Sequence, residues 1–336
     1  MNFVTGGTGL LGSHLLYDLL SMGEKVRALK RPSSNIEQVR KVFSYYTKEA
    51  DIFFNQIEWV DGDVLDFYSL KDALEGIDYV YHCAAIVSFD AKKREQIIQD
   101  NVNGTANLVN ACLEQQINKY CQVSSIAAIG KTEVSGPITE EGLWQNSKNK
   151  SAYSISKHLS EMEVWRGTAE GLNAIVVNPG IILGPGNWNS GSSKIFSTIY
   201  GGLRFYTKGV ISYVDVRDVS KAMIALMKSD ITNERFIVSS ENLTYEYVFK
   251  TIASNLGIKI PDIYARKWVS ELGWRLEKFK EVAFNKPALL SRENARTAHK
   301  SSYYSNQKLI DHLDFKFIPI EKSIKDISKL FLNDFK

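Results

Sequence analysis

Tyr153 and Lys157 stand four residues apart in Ser151 to Gly171 (SAYSISKHLSEMEVWRGTAEG), a stretch whose pattern suits a helix, so both side chains fall on one face. An ammonium beside a phenol stabilises the phenolate, which lets a tyrosine with an ordinary pKa of about 10 trade a proton near neutral pH. Ser125, upstream at the end of a predicted strand, can donate a hydrogen bond to a carbonyl oxygen if it faces the same pocket. Together the three form an acid and electrostatic site for passing hydride to or from a carbonyl carbon. Spacing alone proves little in a chain with 16 tyrosines, and Tyr304 and Lys308 repeat it behind Ser301-Ser302. That copy lies in a polar segment with no strand or glycine-rich turn before it and reads as a decoy.

Hydride chemistry needs a nucleotide held close by, and the opening residues offer it a seat. Met1 to Leu15 reads MNFVTGGTGLLGSHL: an apolar run at Phe3 and Val4, glycines at 6, 7, 9 and 12, then Leu10, Leu11, Leu15 and Leu16 at helical spacing. Strand, tight turn and helix follow from that pattern. Gly6 and Gly7 allow positive φ where the chain reverses, Gly9 lets backbone N–H groups approach a pyrophosphate, and Gly12 lets the helix pack closely on the strand. An anion placed there meets unpaired amides and the positive end of a helix dipole. The spacing Gly6-x-x-Gly9-x-x-Gly12 is one residue longer at the front than the usual fingerprint, so its weight comes from its surroundings.

Those surroundings alternate between strand and helix. Glu24 to Leu29, Ile57 to Val60, Asp78 to Cys83, Asn118 to Val123 and Asn173 to Asn178 predict further strands, the one at Asn118 to Val123 delivering Ser124-Ser125 at its carboxyl end. Asn35 to Asn55 predicts one helix, whole or broken, and Lys92 to Glu114 a long one. The alternation implies a parallel, doubly wound sheet whose ligands sit outside the carboxyl ends of its strands. Where such folds place an acid for the adenosine ribose, this chain has Lys30-Arg31-Pro32. Arg31 either meets a 2′-phosphate, which favours NADP over NAD, or is a solvated loop charge. Asp63, followed by Val64, either accepts from an adenine amino group or caps the next helix. Ala84-Ala85 are small enough for a cofactor to lie against the backbone, and the poor helix formers Asn101 and Asn103 predict a polar cross-link.

Composition removes other classes. Forty-one basic against 38 acidic residues give a net charge of +3, too balanced to imply a nucleic-acid surface. Cys83, Cys112 and Cys121 are odd in number, lie in apolar surroundings and lack metal-type spacing; His82 beside Cys83 reads as packing, since zinc needs three or four convergent ligands. No metal is expected. No stretch offers about 18 uninterrupted apolar residues, and the first strand leaves no room for a signal peptide, so a cytoplasmic protein without an integral membrane segment is expected.

Taken in order, Thr5 to Gly12 (TGGTGLLG), Asp61 to Val64 (DGDV), His82 to Ala85 (HCAA), Asn101 to Thr105 (NVNGT), Ser124-Ser125, Tyr153 to Lys157 (YSISK), Asn178 to Gly180 (NPG) and Tyr213 to Val219 (YVDVRDV) resemble the extended short-chain dehydrogenase/reductases, the epimerase/dehydratase superfamily. Within it the dihydroflavonol-reductase-like and 3β-hydroxysteroid-dehydrogenase-like branches are the most similar. The resemblance implies Tyr153 as acid/base, Lys157 binding the nicotinamide ribose and lowering the tyrosine pKa, and Ser125 polarising the carbonyl. It implies Gly6, Gly9, Leu10, Leu11 and Gly12 around the pyrophosphate, Pro179 and Ile182 near the nicotinamide, and a homodimer as in many relatives. Sugar dehydratases of this superfamily carry an acidic pair directly after the catalytic hydroxyl residue, where this chain has Ile126-Ala127, which argues against elimination by that route.

The expected architecture is an α/β Rossmann domain over 1–180 and 211–240, with a smaller, mostly helical substrate-binding part over 181–210 and 241–336. Trp188, Phe196, Phe205, Tyr206 and Tyr213 form either an aromatic substrate wall or ordinary packing, and Asp215, Arg217 and Asp218 a structural ion-pair cluster. The basic, aromatic helix expected over Ile263 to Lys280 reads as core or lid packing rather than a membrane contact. The expected activity is an NADP(H)-dependent carbonyl reductase or alcohol dehydrogenase acting on a small or medium hydrophobic substrate. Two rivals stand beside it: a nucleotide-sugar epimerase with tightly held NAD, and a non-catalytic NADP-binding sensor or scaffold.

Overall fold

The computed structural model describes residues 1–86, 94–130, 136–145, 150–284 and 292–335. Through the first half the elements run β1 (Asn2–Thr5), α1 (Leu10–Ser21), β2 (Val26–Lys30), α2 (Glu37–Ser44), α3 (Ala50–Asn55), β3 (Glu58–Asp61), α4 (Phe67–Ala73), β4 (Tyr79–His82), α5 (Arg94–Glu114), β5 (Lys119–Val123), α6 (Ala152–Ala169) and β6 (Ala174–Pro179). The second half runs β7 (Ile181–Leu183), α7 (Lys194–Tyr200), β8 (Phe205–Tyr206), β9 (Val210–Asp215), α8 (Val216–Lys228), β10 (Glu234–Val238), β11 (Glu241–Thr244) and α9 (Tyr245–Asn255). It closes with β12 (Ile263–Tyr264), α10 (Lys267–Phe284), α11 (Arg292–Thr297), α12 (Gln307–Leu313) and α13 (Ile320–Asp334).

Seven strands form one sheet in the order β10-β6-β5-β4-β1-β2-β3, with every neighbouring pair parallel. The order reverses between β1 and β4, and that switch point is where a doubly wound sheet opens a crevice at its carboxyl edge. Central strands must be apolar on both faces because helices cover both. Accordingly β1, β5 and β6 are buried at every residue. On one face α1 and α8 seal Val4, Tyr81, Cys121, Ile175 and Val177; on the other α4, α5 and α6 seal Phe3, Val80, Tyr120, Ala174 and Val176. The fold is therefore a Rossmann sheet, followed by a mostly helical part in which α7, α9 and α13 pack around Trp188, Phe196, Tyr213 and Phe331. Two small sheets, β11-β9-β7 and β12-β8, stand apart from the large one.

Several expectations change in detail. The segment 35–55 takes the broken alternative as two helices, α2 and α3, and between them the Tyr46 hydroxyl meets His14 Nε2 at 2.8 Å. The start expected for the long helix at Lys92 lies outside the described residues, which resume with α5 at Arg94. Ile263 and Tyr264 form β12 rather than opening a helix, and Trp268 on α10 is 65 % exposed, so that side chain is not core. Of the five aromatics considered as a substrate wall, Trp188, Phe196 and Tyr213 are buried packing, whereas Phe205 is exposed. Arg217 bridges Asp215 at 2.7 Å and Asp326 at 3.3 Å, and Asp218 accepts from the Ile318 N–H at 2.7 Å, so this cluster ties α8 to the C-terminal segment.

Candidate active site

Parallel strands all deliver their next residue to the same edge, which brings together side chains far apart in sequence. Thr5, Lys30, Asp61, His82, Val123 and Pro179 end β1 to β6, and Gly6, Arg31, Asp63, Ala84, Ser125 and Ile182 lie just beyond them.

The glycine turn has the shape that an anion seat requires. Gly6 has φ +69°, and a Cβ there would lie 2.5 Å from the Ala84 nitrogen, so glycine is needed both for the turn and for the close crossing to the end of β4. A Cβ on Gly12 would lie 2.2 Å from the Gly6 carbonyl oxygen. Gly9 is the N-cap of α1 and supplies no capping side chain, and the first regular helical bond runs from Ser13 N–H to Gly9 O at 3.0 Å. The amides of Leu10, Leu11 and Gly12 thus precede the helix ladder, at the positive end of a 12-residue helix. These residues fit a dinucleotide pyrophosphate.

Toward the far strands, Lys30 Nζ pairs with Asp61 at 2.5 Å, which occupies it with the neighbouring strand. Arg31, the first residue after β2, is exposed, and its backbone N–H donates to Ser34 Oγ at 3.0 Å. Asp63 accepts from the Leu65 N–H at 3.0 Å, while the cap of α4 is Asp66, which accepts from Tyr68 and Ser69. The capping alternative for Asp63 is therefore set aside. Val64 packs against Gly104 of α5, where a Cβ would come within 2.8 Å of it. Asn101 holds the strand-end loop from α5, accepting from the Ile86 N–H at 2.7 Å and donating to its carbonyl at 2.9 Å. Asn107, also on α5, donates to the Val64 carbonyl at 3.1 Å.

Near the centre of the edge, Ser125 leaves β5 in extended conformation (φ −164°) and its Oγ accepts from the Ala127 N–H at 3.1 Å, leaving the hydroxyl proton available to donate. Ser151 caps α6 through the Ser154 N–H at 2.8 Å, which fixes where the helix starts and so where Tyr153 points. The Ser125 hydroxyl reaches the Tyr153 phenol. Lys157, one turn on, is almost wholly buried and donates to the Val123 carbonyl at 2.8 Å. Ser125 thus meets Tyr153, and Lys157 binds the carbonyl two residues before Ser125, while Pro179 lies buried at the end of β6 and Ile182 follows half-buried on β7.

Electrostatics differ from expectation in one respect. Burial pushes the Tyr153 phenol up, and the group that opposes this is the Ser125 hydroxyl, while the Lys157 ammonium is turned to the Val123 carbonyl. Burial also lowers Lys157 to about 8, opposed by its neighbours Cys83 and Glu161. His82 bonds Thr5 Oγ1 at 2.6 Å and is held neutral by burial at about 3, so it acts as a strut between β1 and β4. Among the described residues no group of three His, Cys, Asp or Glu is gathered as for a metal ion. No helix among them is long and apolar enough to cross a membrane. Tyr304, from the repeated Tyr-Lys spacing, packs on Ile126, Ile129 and Ile237, and Lys308 pairs with Glu234 at 2.6 Å.

Sequence reading missed Glu161 and Asn178, both fully buried behind the site, with Asn178 Nδ2 donating to Glu161 Oε1 at 2.6 Å. A signal was available: Tyr153, Lys157 and Glu161 follow one another at helical four-residue steps, so a carboxylate shares the face of the Tyr-Lys pair.

Comparison with known proteins gives the family and the fold. The profile of the NAD dependent epimerase/dehydratase family matches residues 2–239. Sterol demethylase protein B of Methylococcus capsulatus is 30 % identical over 258 residues, covering 76 % of this chain and 74 % of that one. A putative dihydroflavonol 4-reductase of Synechocystis is 27 % identical over 342 residues, covering 98 % and 94 %. Among solved structures, the UDP-glucose 4-epimerase of Thermotoga maritima superposes with a TM-score of 0.78 at 20 % identity, over 100 % of both chains, a likeness of fold. With the glycine seat at the sheet's switch point and the Ser-Tyr-Lys group beside it, the chain belongs to the NAD dependent epimerase/dehydratase family, as an NAD(P)-dependent oxidoreductase of the extended short-chain type.

Proposed function

We propose that the protein is an NADP(H)-dependent carbonyl reductase or alcohol dehydrogenase for a small or medium hydrophobic substrate, with residues 181–210 and 241–336 forming the substrate-binding part. The bound nicotinamide supplies or takes up the hydride. Ser125 donates a hydrogen bond to the carbonyl oxygen, Tyr153 gives that oxygen its proton as the alcohol forms, and Lys157 holds the ribose and contributes its positive charge. In oxidation the same groups act in reverse, with Tyr153 as base. Gly6, Gly9 and the amides of Leu10, Leu11 and Gly12 hold the pyrophosphate, Ala84 leaves room for it, and Pro179 and Ile182 flank the nicotinamide. Asp63 and Val64 sit on the adenine side, and Arg31 takes the 2′-phosphate that separates NADP from NAD.

The observation that carries this reading is the approach of the Ser125 hydroxyl to the Tyr153 phenol, one helical turn from a buried Lys157. Ile126 and Ala127 continue from Ser125 into a tight turn, so no carboxylate follows it to drive elimination. The test is a carbonyl panel with NADPH, read by loss of nicotinamide absorbance, for the parent and Tyr153→Phe. The variant should lose at least about a thousandfold in turnover, within the range of general acid catalysis, while binding NADPH as the parent does. A Tyr153→Phe protein with the parent rate would overturn the mechanism. Dinucleotide retained through purification without net turnover would instead favour a sugar epimerase.

A further inference from the structure

Behind the Ser-Tyr-Lys group lies a charged side chain that the chemistry above does not use. Glu161 on α6 is fully buried. Its Oε1 accepts from Asn178 Nδ2 at 2.6 Å, and its Oε2 faces Arg235 Nη1 at 3.4 Å. The same Asn178 nitrogen donates to the Ser125 carbonyl at 3.0 Å. Arg235 also donates from Nε to the Glu140 carbonyl at 2.7 Å and from Nη2 to the Gly142 carbonyl at 3.4 Å. A single carboxylate thus links the helix carrying Tyr153 and Lys157 to β6, to β10 and, through Asn178, to the residue supplying the serine hydroxyl.

A buried carboxylate costs several kcal/mol of desolvation, and isosteric apolar residues commonly serve stability as well or better. Burial accordingly pushes Glu161 up, opposed by Asn178 and Arg235. Packing alone does not call for a charge at this position. Geometry and charge together supply a reason: Lys157, one turn before Glu161, is itself buried and needs a negative partner to keep its ammonium form.

We propose that Glu161 is a positioning residue for the reaction: through Asn178 it fixes the Ser125 backbone relative to Tyr153, and its charge holds Lys157 in the ammonium form. This rests on the Ser-Tyr-Lys reading above. The groups that face Lys157 are Glu161 on its own helix and His82 and Cys83 at the end of β4. His82 is neutral across the working range and Cys83 is a thiol raised to about 12, so of these groups Glu161, with Arg235 on β10 as its counter-charge, is the one that supplies a negative partner.

Two variants separate the two halves of the proposal. Glu161→Gln keeps the acceptor for Asn178 and removes the charge, so the alkaline limb of the kcat profile, set by Lys157 at about 8, should move about one pH unit toward acid. Asn178→Ala keeps the charge and cuts the tether, so kcat should fall about tenfold or more with no displacement of that limb and little change in NADPH affinity. Glu161→Asp should return the limb toward the parent position, and it serves as the charge test if the glutamine variant does not fold. Melting temperature and NADPH titration accompany each variant. A Glu161→Gln profile that superimposes on the parent, a Glu161→Asp limb displaced as far as that of Glu161→Gln, or an Asn178→Ala enzyme with the parent kcat would overturn the proposal. If Tyr153→Phe is also fully active, the Ser-Tyr-Lys reading itself has failed; if Tyr153→Phe is dead and these variants are not impaired, the failure belongs to Glu161 alone.

Discussion

Replacing Gly12 by alanine tests the nucleotide seat directly. The new Cβ would lie 2.2 Å from the Gly6 oxygen, 2.8 Å from the Gly6 carbonyl carbon and 2.9 Å from the Gly7 Cα. All three are backbone atoms of the turn, so no side chain can swing aside, and relief requires the turn and α1 to separate by about 1 Å. Such overpacking costs about 1–3 kcal/mol. In the opposite direction, alanine is about 1 kcal/mol better than glycine inside a helix, so the fold's net loss is small. The dinucleotide feels the displacement in full, because the Leu10, Leu11 and Gly12 amides move away from the phosphates they must meet. Its dissociation constant should rise about fivefold to a hundredfold. A fluorescence titration with NADPH alongside a thermal melt makes the comparison. Gly9→Ala provides a scale, since its Cβ meets only the Gly6 oxygen at 3.2 Å: the melt should be close to the parent's, and lost affinity there reports the approach of the phosphate itself. A Gly12→Ala protein that binds NADPH as tightly as the parent would refute the assignment of the seat.

Other expectations follow from single side chains. Arg31→Ala should weaken NADPH about tenfold to a hundredfold, the worth of a charged hydrogen bond, and leave NADH unchanged; equal loss for both, or none, removes the 2′-phosphate role. Acid should destabilise the fold through His14 and His82, which burial holds neutral at about 4 and about 3. The unfolded chain protonates both near 6.5, so their stabilising contribution is full above that pH and falls by about 1.4 kcal/mol per unit for each as pH drops toward its folded value. Denaturant titrations at a series of pH values measure the slope, and His14→Gln should reduce it by one histidine's share; an unchanged slope would mean that His14 is not neutral in the fold.

The backbone plan was legible because it rests on local chemistry. The glycine bend, the apolar runs of β1, β5 and β6 and the four-residue step from Tyr153 to Lys157 are written in neighbouring residues. What stayed hidden depends on distant partners. The place of the break between α2 and α3 has neither glycine nor proline to announce it, and it is marked by a distant partner, Tyr46 reaching His14 of α1. Two-residue strands such as β8 and β12 are too short for periodicity and form because they pair with each other. Asp63 and Asp66 are equivalent as capping residues in sequence, and only the placement of α4 selects Asp66. Glu161 reads as one more polar residue on an exposed helix until β6 and β10 are laid against it.

The position of β10 has a consequence for how the molecule can be divided. After β6 the chain leaves the large sheet, builds β7, α7, β8 and β9, and only then returns through α8 to lay β10 along the flank of β6. An amino-terminal fragment ending near residue 180 would leave β6, buried along its whole length in the full chain, as a bare border with its hydrogen-bonding groups turned to water or to another molecule. The halves are interleaved rather than joined end to end. Recombining this chain with a relative at the midpoint would therefore exchange the strand that shields the seam, and productive chimeras need crossover points on both sides of the excursion.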